Sequence, residues 1–301
     1  GSGAAGSTLA EILAKRGLNV TVLEAGKKFD INGSFKQSVE MYDAYKLTQH
    51  PVMTQEGIIL WRTLMAGGSA VVALSNMVAS MDDVFQQYGI DINEEMNAFL
   101  SEAGVKPLDE RLLSSGGRAI REAGERIGIP FRLMPKAIDS RKCTGCGRCP
   151  FGCPEAARWN PMDGIAQAEA AGAVIHYGVE VEEVIVEQGR VVGVRSAKGK
   201  SIVDFNAETV ILAAGGISSP IILQKSGIEA AGKQLFMDVF VTVVGSHSDL
   251  SQVLEPTMSL VNDQFHTSDG FILSPYIPVH PKVAFAEFGP AGMLMKRKRM
   301  I

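Results

Sequence analysis

The sequence predicts an α/β fold in which a parallel βαβ unit carries an antiparallel β-meander and is followed by part of a second, α+β domain. Three observations lead to this prediction. Glycines at the start precede an apolar pattern of helical period. Runs of alternating β-branched residues lie between residues 173 and 196. An Ala-Gly turn at residues 214 and 215 separates an expected strand at residues 209–213 from a helix-like run.

The first element is a glycine turn followed by a helix and a strand, over residues 1–26 (GSGAAGSTLAEILAKRGLNVTVLEAG). Gly1, Gly3 and Gly6 have the G-x-G-x-x-G spacing, which provides a tight turn, close backbone approach to a pyrophosphate and close helix packing. Glu24 follows the strand, where an acceptor for a ribose hydroxyl is expected. The unit predicts a Rossmann-like dinucleotide site. In such a unit we expect a β-strand before the first glycine. The strand and the acid disfavour the alternative, a Gly/Ala-rich helix after a cloning remnant.

All four cysteines lie in residues 141–158 (RKCTGCGRCPFGCPEAAR), with the spacing C-x2-C-x2-C-x3-C-P found in bacterial ferredoxins. The run predicts an iron–sulfur cluster, [4Fe–4S] or [3Fe–4S], held by Cys143, Cys146, Cys149 and Cys153. Three thiolates can hold three corners of a cubane, but the cysteine before proline serves the other cluster in two-cluster ferredoxins. Cys153 therefore leaves the fourth ligand open. Structural zinc and unmetallated thiols in a turn are the alternatives.

Two further segments carry a family resemblance: MAGGSAVVALSN at residues 65–76 and VILAAGGISSPIILQKSGI at residues 210–228. The G-x-G-x-x-G unit at residues 1–26 is called the fingerprint below. The fingerprint, these two segments and a hairpin predicted at Gln188-Gly189 follow one another in an order that resembles that of the glucose-methanol-choline (GMC) oxidoreductases. The resemblance implies a Rossmann-like FAD-binding domain. It also implies an FAD groove lined by Gly1, Gly3, Gly6, Glu24, Gly67, Gly68, Ser69, Asn76, Val181, Ala214 and Gly215.

The resemblance further implies a dehydrogenase that takes hydride from a CH–OH carbon of a small alcohol-type substrate to the flavin. Members of the family end in a segment with a catalytic histidine, which has no counterpart here, so no catalytic residue is assigned. If the cluster exists, electrons leave through it to an acceptor protein or a quinone. The alternatives are a non-catalytic flavin and iron–sulfur electron-transfer subunit of a larger complex, and a nicotinamide-dependent reductase.

Charge, hydrophobicity and cysteine usage limit the partners and the compartment that we expect for this protein. The formal net charge of −4 disfavours nucleic acid as a partner, and no apolar run is long enough to span a membrane. Clustered cysteines favour a reducing compartment, so we expect a cytoplasmic protein. The expected domains are residues 1–80 with 155–230 for FAD, 81–154 as a helical insertion with the cysteines, and 231–301 as a partial substrate domain. We expect a strand at residues 232–245 in the last of these. We expect a partner subunit or a missing C-terminal segment to complete the substrate domain.

Overall fold

The computed structural model describes residues 1–30, 54–58, 60, 62–78, 85–198, 201–243, 245, 247, 249–250 and 254–276. The chain forms two compact units, Gly1–Val72 with Asn160–Phe240 and Ala73–Trp159 with Val241–Ile301. The domain boundaries expected from the sequence stay predictions. His50 and His280, which the sequence does not assign to catalysis, and the basic run 296–299, expected to be a solvated edge, lie outside the described residues.

The helices are α1 Ala4–Lys15, α2 Asn93–Glu102, α3 Ser115–Arg126, α4 Pro161–Ala170, α5 Gly215–Lys225 and α6 His266–Asp269. The strands are β1 Thr21–Glu24, β2 Lys106–Pro107, β3 Arg132–Leu133, β4 Pro135–Lys136, β5 Val174–Tyr177, β6 Glu180–Glu187, β7 Arg190–Lys198, β8 Ser201–Asn206 and β9 Leu260–Val261. Short 3-10 turns lie at Gly68–Val71, Glu110–Leu112 and Cys149–Phe151.

The first unit contains the predicted helix and strand, α1 and β1, while the strand expected before Gly1 stays a prediction. β1 and β5 pair in parallel, from Thr21 opposite Val174 to Glu24 opposite Tyr177. α1 and α4 pack together over this pair, and small side chains let them approach closely. The buried core between them consists of Ala10, Ala14, Val22, Ala168 and Ala173.

The antiparallel meander, β6-β7-β8, belongs to the same unit. Gln188 and Gly189 form the hairpin turn with φ angles of 49° and 77°, the left-handed values that two-residue hairpin loops use. The Ser226 hydroxyl, just after α5, accepts a hydrogen bond of 2.8 Å from the Val184 backbone N–H. This contact ties α5 to the meander, and the predicted hairpin is confirmed.

Two strands expected from the sequence do not form. Residues 209–213 are not a strand and have no ladder partner in the described part of the chain. Residues 232–243 and 245 likewise contain no strand, and Val241 and Val243 are 89% and 92% exposed. Both segments are rich in apolar and β-branched residues, but a strand also needs a neighbouring edge with which to exchange backbone hydrogen bonds.

The second unit is made of helices and short antiparallel pairs, β2 with β4 and β3 with β9. Its core contains Met134, Met258 and Val261. Ser114 caps α3 by accepting a 3.1 Å hydrogen bond from the Gly117 N–H. The buried Glu255 carboxylate accepts hydrogen bonds from the Ser114 hydroxyl and from its N–H at 2.8 Å, which joins the segment before β9 to α3.

No helix in the described ranges combines the length and the apolar character needed to cross a membrane. The α/β class predicted from the sequence, with its meander, is confirmed.

Candidate functional site

The three fingerprint glycines have different reasons to be glycine. A methyl group added at Gly1 would lie 2.7 Å from the Ala213 carbonyl oxygen, and one at Gly6 would lie 2.0 Å from the Gly1 carbonyl oxygen. The packing of the chain itself therefore requires these two. Gly3 differs, since its φ is an ordinary −64° and an added methyl group would meet nothing within 4 Å. The space beside Gly3 is open.

This open space lies at the N-terminus of α1. Gly3 is the N-cap residue and makes no side-chain capping bond, and the first turn of the helix has no acidic residue. The first N–H groups of a helix lack partners within it and carry a partial positive charge. An anion such as a phosphate can therefore be bound there by backbone N–H groups.

Glu24 ends β1 beside this turn, with its side chain buried. Its Oε2 atom accepts hydrogen bonds from the Ser2 N–H and the Ser2 hydroxyl, each of 2.8 Å. Its Oε1 atom accepts one of 2.7 Å from the Gly26 N–H. A buried carboxylate held by several donors is fixed in one orientation, as an acceptor for a ligand hydroxyl must be.

The second glycine segment packs against the first. Gly67 and Gly68 have φ angles of 82° and 59°, and the Gly67 N–H donates a 3.1 Å hydrogen bond to the Ser2 hydroxyl. A methyl group on Gly68 would lie 3.1 Å from the Gly3 Cα atom. The Ser69 hydroxyl accepts a hydrogen bond of 3.0 Å from the Thr63 N–H. The fingerprint and the segment Gly67–Gly68 are distant in sequence but lie in direct contact in the fold.

The remaining predicted groove residues of this unit lie on β6 and at the start of α5. Val181 pairs with Ser196, next to an irregularity in the β6–β7 register. Ala214 is the N-cap residue of α5, and its N–H donates to the Ser219 hydroxyl at 3.1 Å. Gly215 has a φ of 81°, and an added methyl group would meet no atom within 4 Å. Their contacts with FAD stay predictions.

Asn76 lies in the second unit, and its side-chain amide is already bonded there. Its Oδ1 atom accepts a 2.5 Å hydrogen bond from the Lys136 ammonium, and its Nδ2 atom donates to the Met258 sulfur at 3.2 Å. The prediction that Asn76 faces FAD stays a prediction, and the structure adds that this amide holds Lys136.

The four cysteines, all free thiols, line one cavity in the second unit, together with Arg158 and Pro256. The cavity has a volume of about 20 Å³, which is room for a single water molecule. Among the described residues, no three His, Cys, Asp or Glu side chains come together as a group that could hold a metal ion. The donor set fits a thiolate-bound metal or cluster, whereas its present spacing does not. The iron–sulfur assignment stays a prediction.

The loop that carries the thiols has the backbone geometry expected from its glycines. Gly145, Gly147 and Gly152 have φ angles of 66°, 69° and 80°. The Ala157 N–H donates a 3.3 Å hydrogen bond to the Cys153 sulfur. Burial raises the pKa of the Cys143 thiol, the Gly145 N–H opposes this shift, and the neighbouring cysteines add to it.

Lys136 is the residue of this region that the sequence reasoning missed. Its side chain is 1% exposed, and its ammonium donates to the Leu74 and Thr257 carbonyl oxygens at 3.0 and 2.9 Å besides Asn76. Burial lowers its pKa to about 8, while the nearby Cys149 thiol acts in the opposite direction. A lysine inside the otherwise apolar run Met134–Ile138 was the available signal.

Residues 3–246 match the family described as GMC oxidoreductase. The chain therefore belongs to the GMC oxidoreductase family, and it has the fold of the family's N-terminal FAD-binding domain. This confirms the family that the G-x-G-x-x-G unit, the segments at residues 65–76 and 210–228 and the hairpin resemble.

Several curated proteins are similar to this chain. An uncharacterised GMC-type oxidoreductase of Mycobacterium tuberculosis is 27% identical, over 91% of this chain and 46% of the relative. An uncharacterised protein of Methanocaldococcus jannaschii is 30% identical, over 83% and 57%. A long-chain-alcohol oxidase of Arabidopsis thaliana is 26% identical, over 76% and 33%. The chain thus spans about half the length, or less, of most of these relatives.

Solved structures share the fold. Pyridoxine 4-oxidase from Mesorbium loti superposes with a TM-score of 0.63 at 18% identity, covering 91% of this chain and 64% of that one. An FAD-dependent oxidoreductase from Chaetomium thermophilum gives a TM-score of 0.56 at 19% identity, covering 76% and 46%.

Proposed function

We propose that this chain forms the FAD-binding part of an oxidoreductase that acts on CH–OH groups. The observation that carries the proposal is the open space beside Gly3. Glycine is not required there by φ or by packing, so a ligand that comes close to the backbone accounts for it. The alcohol oxidases among the relatives support an alcohol as the substrate class.

The residues of the first unit would bind the adenosine and diphosphate parts of FAD. The N–H groups at the start of α1 would hold the pyrophosphate, and Glu24 would accept a ribose hydroxyl. FAD, when bound, supplies the acceptor for the hydride of the alcohol carbon, while the hydroxyl proton passes to a base and a carbonyl product remains. This chain's part is to hold the cofactor in a fixed orientation.

Replacing Gly3 by alanine tests this assignment. The open space means that Gly3→Ala should fold normally, but the methyl group should keep the pyrophosphate from the backbone and weaken FAD binding by about tenfold or more. Quenching of flavin fluorescence during titration of the flavin-free protein measures the affinity. Gly164→Ala, on the α1-facing side of α4, is the matched control and should bind FAD like the unaltered protein.

Equal FAD affinity for Gly3→Ala and the unaltered protein, both folded by thermal melting, would contradict the proposed site. Failure of the unaltered protein to bind FAD would contradict the proposed function itself.

We propose in addition that Cys143, Cys146, Cys149 and Cys153 would hold an iron–sulfur cluster, which, when bound, would supply one-electron transfer away from the flavin. The specific observation is that all four thiols line one cavity, although their present spacing is not that of metal ligands. Metal–thiolate sites rarely exist fully formed without the metal, so the positions of the thiols would change as the cluster binds.

Iron and acid-labile sulfide, assayed on protein purified without oxygen, test the cluster. About four sulfides per chain are expected, with about four iron atoms for [4Fe–4S] or three for [3Fe–4S], and Cys146→Ser should lose most of both. Cys153→Ser then decides the fourth ligand. An iron content equal to that of the unaltered protein would show that Cys153 is not a ligand, whereas the loss of one iron atom would show that Cys153 holds the fourth iron. Zinc without sulfide, or no metal, would overturn the proposal and leave the FAD assignment untouched.

A further inference from the structure

Ser2 stands between the two glycine segments of the first unit, and its side chain is fully buried. Its hydroxyl donates to Glu24 Oε2 at 2.8 Å and accepts from the Gly67 N–H at 3.1 Å. A single hydroxyl thus uses its donor on the acidic residue and an acceptor site on the second glycine turn. Nothing in the G-x-G-x-x-G spacing requires a hydroxyl at this position.

The carboxylate that Ser2 holds has room for one more donor. A carboxylate offers about four acceptor positions. Three donors of the described residues reach Glu24, namely the Ser2 N–H, the Ser2 hydroxyl and the Gly26 N–H. One acceptor position is left, and its direction depends on the donors that fix the other three.

We propose that Ser2 is a positioning residue that orients Glu24 so that its remaining acceptor position receives one ribose hydroxyl of the adenosine part of the cofactor. The inference rests on the proposed FAD site. It adds that recognition of the ribose depends on a hydroxyl in the fingerprint, in addition to the acid at the end of β1.

The preference for a ribose hydroxyl tests the proposal directly. The probes are ADP, 2′-deoxy-ADP and 3′-deoxy-ADP, titrated into the flavin-free protein and followed by calorimetry. A hydrogen bond to a charged group corresponds to about a tenfold or larger difference in affinity, so the unaltered protein should prefer ADP over one deoxy analogue by that factor. In Ser2→Ala the preference should fall below about threefold, and in Ser2→Thr, which keeps a hydroxyl, it should return.

Ser7→Ala is the matched control. Ser7 is also a buried serine near the fingerprint, but its hydroxyl donates only to the Ala4 carbonyl oxygen of its own helix, at 3.1 Å, among the described contacts. This variant should keep the preference for ADP. If Ser2 only supports the fold, Ser2→Ala should weaken ADP and its deoxy analogues equally and leave their ratio unchanged.

An unchanged ratio in Ser2→Ala overturns the inference, and so does an unaltered protein that binds FAD but does not distinguish ADP from both deoxy analogues. In either case the proposed FAD site stands. If the unaltered protein binds neither FAD nor ADP, the proposed function fails and the inference fails with it. Ser2→Gly also lacks the hydroxyl and replaces Ser2→Ala should the latter not unfold cooperatively.

Discussion

The glycine turn of the first unit and the cysteine pocket of the second are both recognised by motif spacing, but they differ in how much of a site the folded chain already forms. At the turn, open space lies beside Gly3 and the donors of α1 are uncapped. At the pocket, four thiols surround only about 20 Å³ and no metal-binding group forms among the described residues.

The difference follows from which atoms bind the ligand. Backbone N–H groups take their positions from the fold, so a phosphate site at a helix N-terminus exists before its ligand arrives. Thiols are placed by side-chain torsions, and a metal or cluster contributes the bonds that set their final spacing. The turn is therefore formed by the chain alone, whereas the pocket would be completed by its occupant.

The largest expected effect comes from disturbing the turn. Gly6→Ala places a methyl group 2.0 Å from the Gly1 carbonyl oxygen, a backbone atom that cannot move without opening the turn. We expect the free energy of unfolding to fall by about 3 kcal/mol or more, against the ~1 kcal/mol that alanine normally gains over glycine in a helix. Urea unfolding measures it.

Gly164→Ala is the control for Gly6→Ala, since its methyl group would meet the flexible Glu11 carboxylate at 3.2 Å. Its stability should change by less than about 1 kcal/mol. A Gly6→Ala protein as stable as this control would show that the turn is not rigid.

An intermediate effect is expected from the buried ammonium beside the pocket. The pKa of Lys136 is lowered to about 8 by burial, whereas the unfolded chain keeps the proton up to about 10.4. The unfolded state therefore binds more protons between these pH values, and the free energy of unfolding should rise by up to ~3 kcal/mol from pH 8 to 10.5 through this group. At pH values above the ordinary pKa of a cysteine thiol, the raised pKa of Cys143 acts in the opposite direction, because the folded chain then keeps a proton that the unfolded chain has lost.

Comparison of the unaltered protein with Lys136→Met isolates the lysine contribution, because both keep Cys143. The unaltered protein should gain stability relative to the variant as the pH rises through this window, measured by urea unfolding at each pH. Parallel pH profiles for the two proteins would rule out a lowered pKa. Lys142→Met serves as the control, since Lys142 is an exposed lysine of the cysteine loop.

The smallest effect is expected in the cysteine loop itself. Gly145 has a φ of 66°, but an added methyl group would have only ordinary contacts, the nearest at 3.6 Å. Gly145→Ala should therefore cost about 1–2 kcal/mol through the left-handed backbone alone, and Gly145→Asn should cost less because asparagine tolerates this region. Thermal melting of the metal-free protein measures both. A loss as large as that of Gly6→Ala would mean that the loop is as tightly packed as the turn.

Local patterns predicted much of the fold and the family. The helix after Gly3, the strand that ends in Glu24 and the hairpin at Gln188-Gly189 form where the sequence indicates, because each depends on residues close in the chain. Residues 209–213 and 232–245 were expected as strands on the same kind of pattern. Residues 209–213 and the described residues 232–243 and 245 are not strands, because pairing depends on distant edges.

By itself the sequence determined the glycine fingerprint, the acid that follows it and the spacing of the four cysteines, since these are properties of neighbouring residues. Only the tertiary structure decided that Ser2 joins Glu24 to Gly67 and that the Asn76 amide holds a buried Lys136. These contacts link residues from 22 to 65 positions apart. Backbone propensity carries no information over such distances, and packing of the folded chain alone brings those side chains within hydrogen-bonding reach.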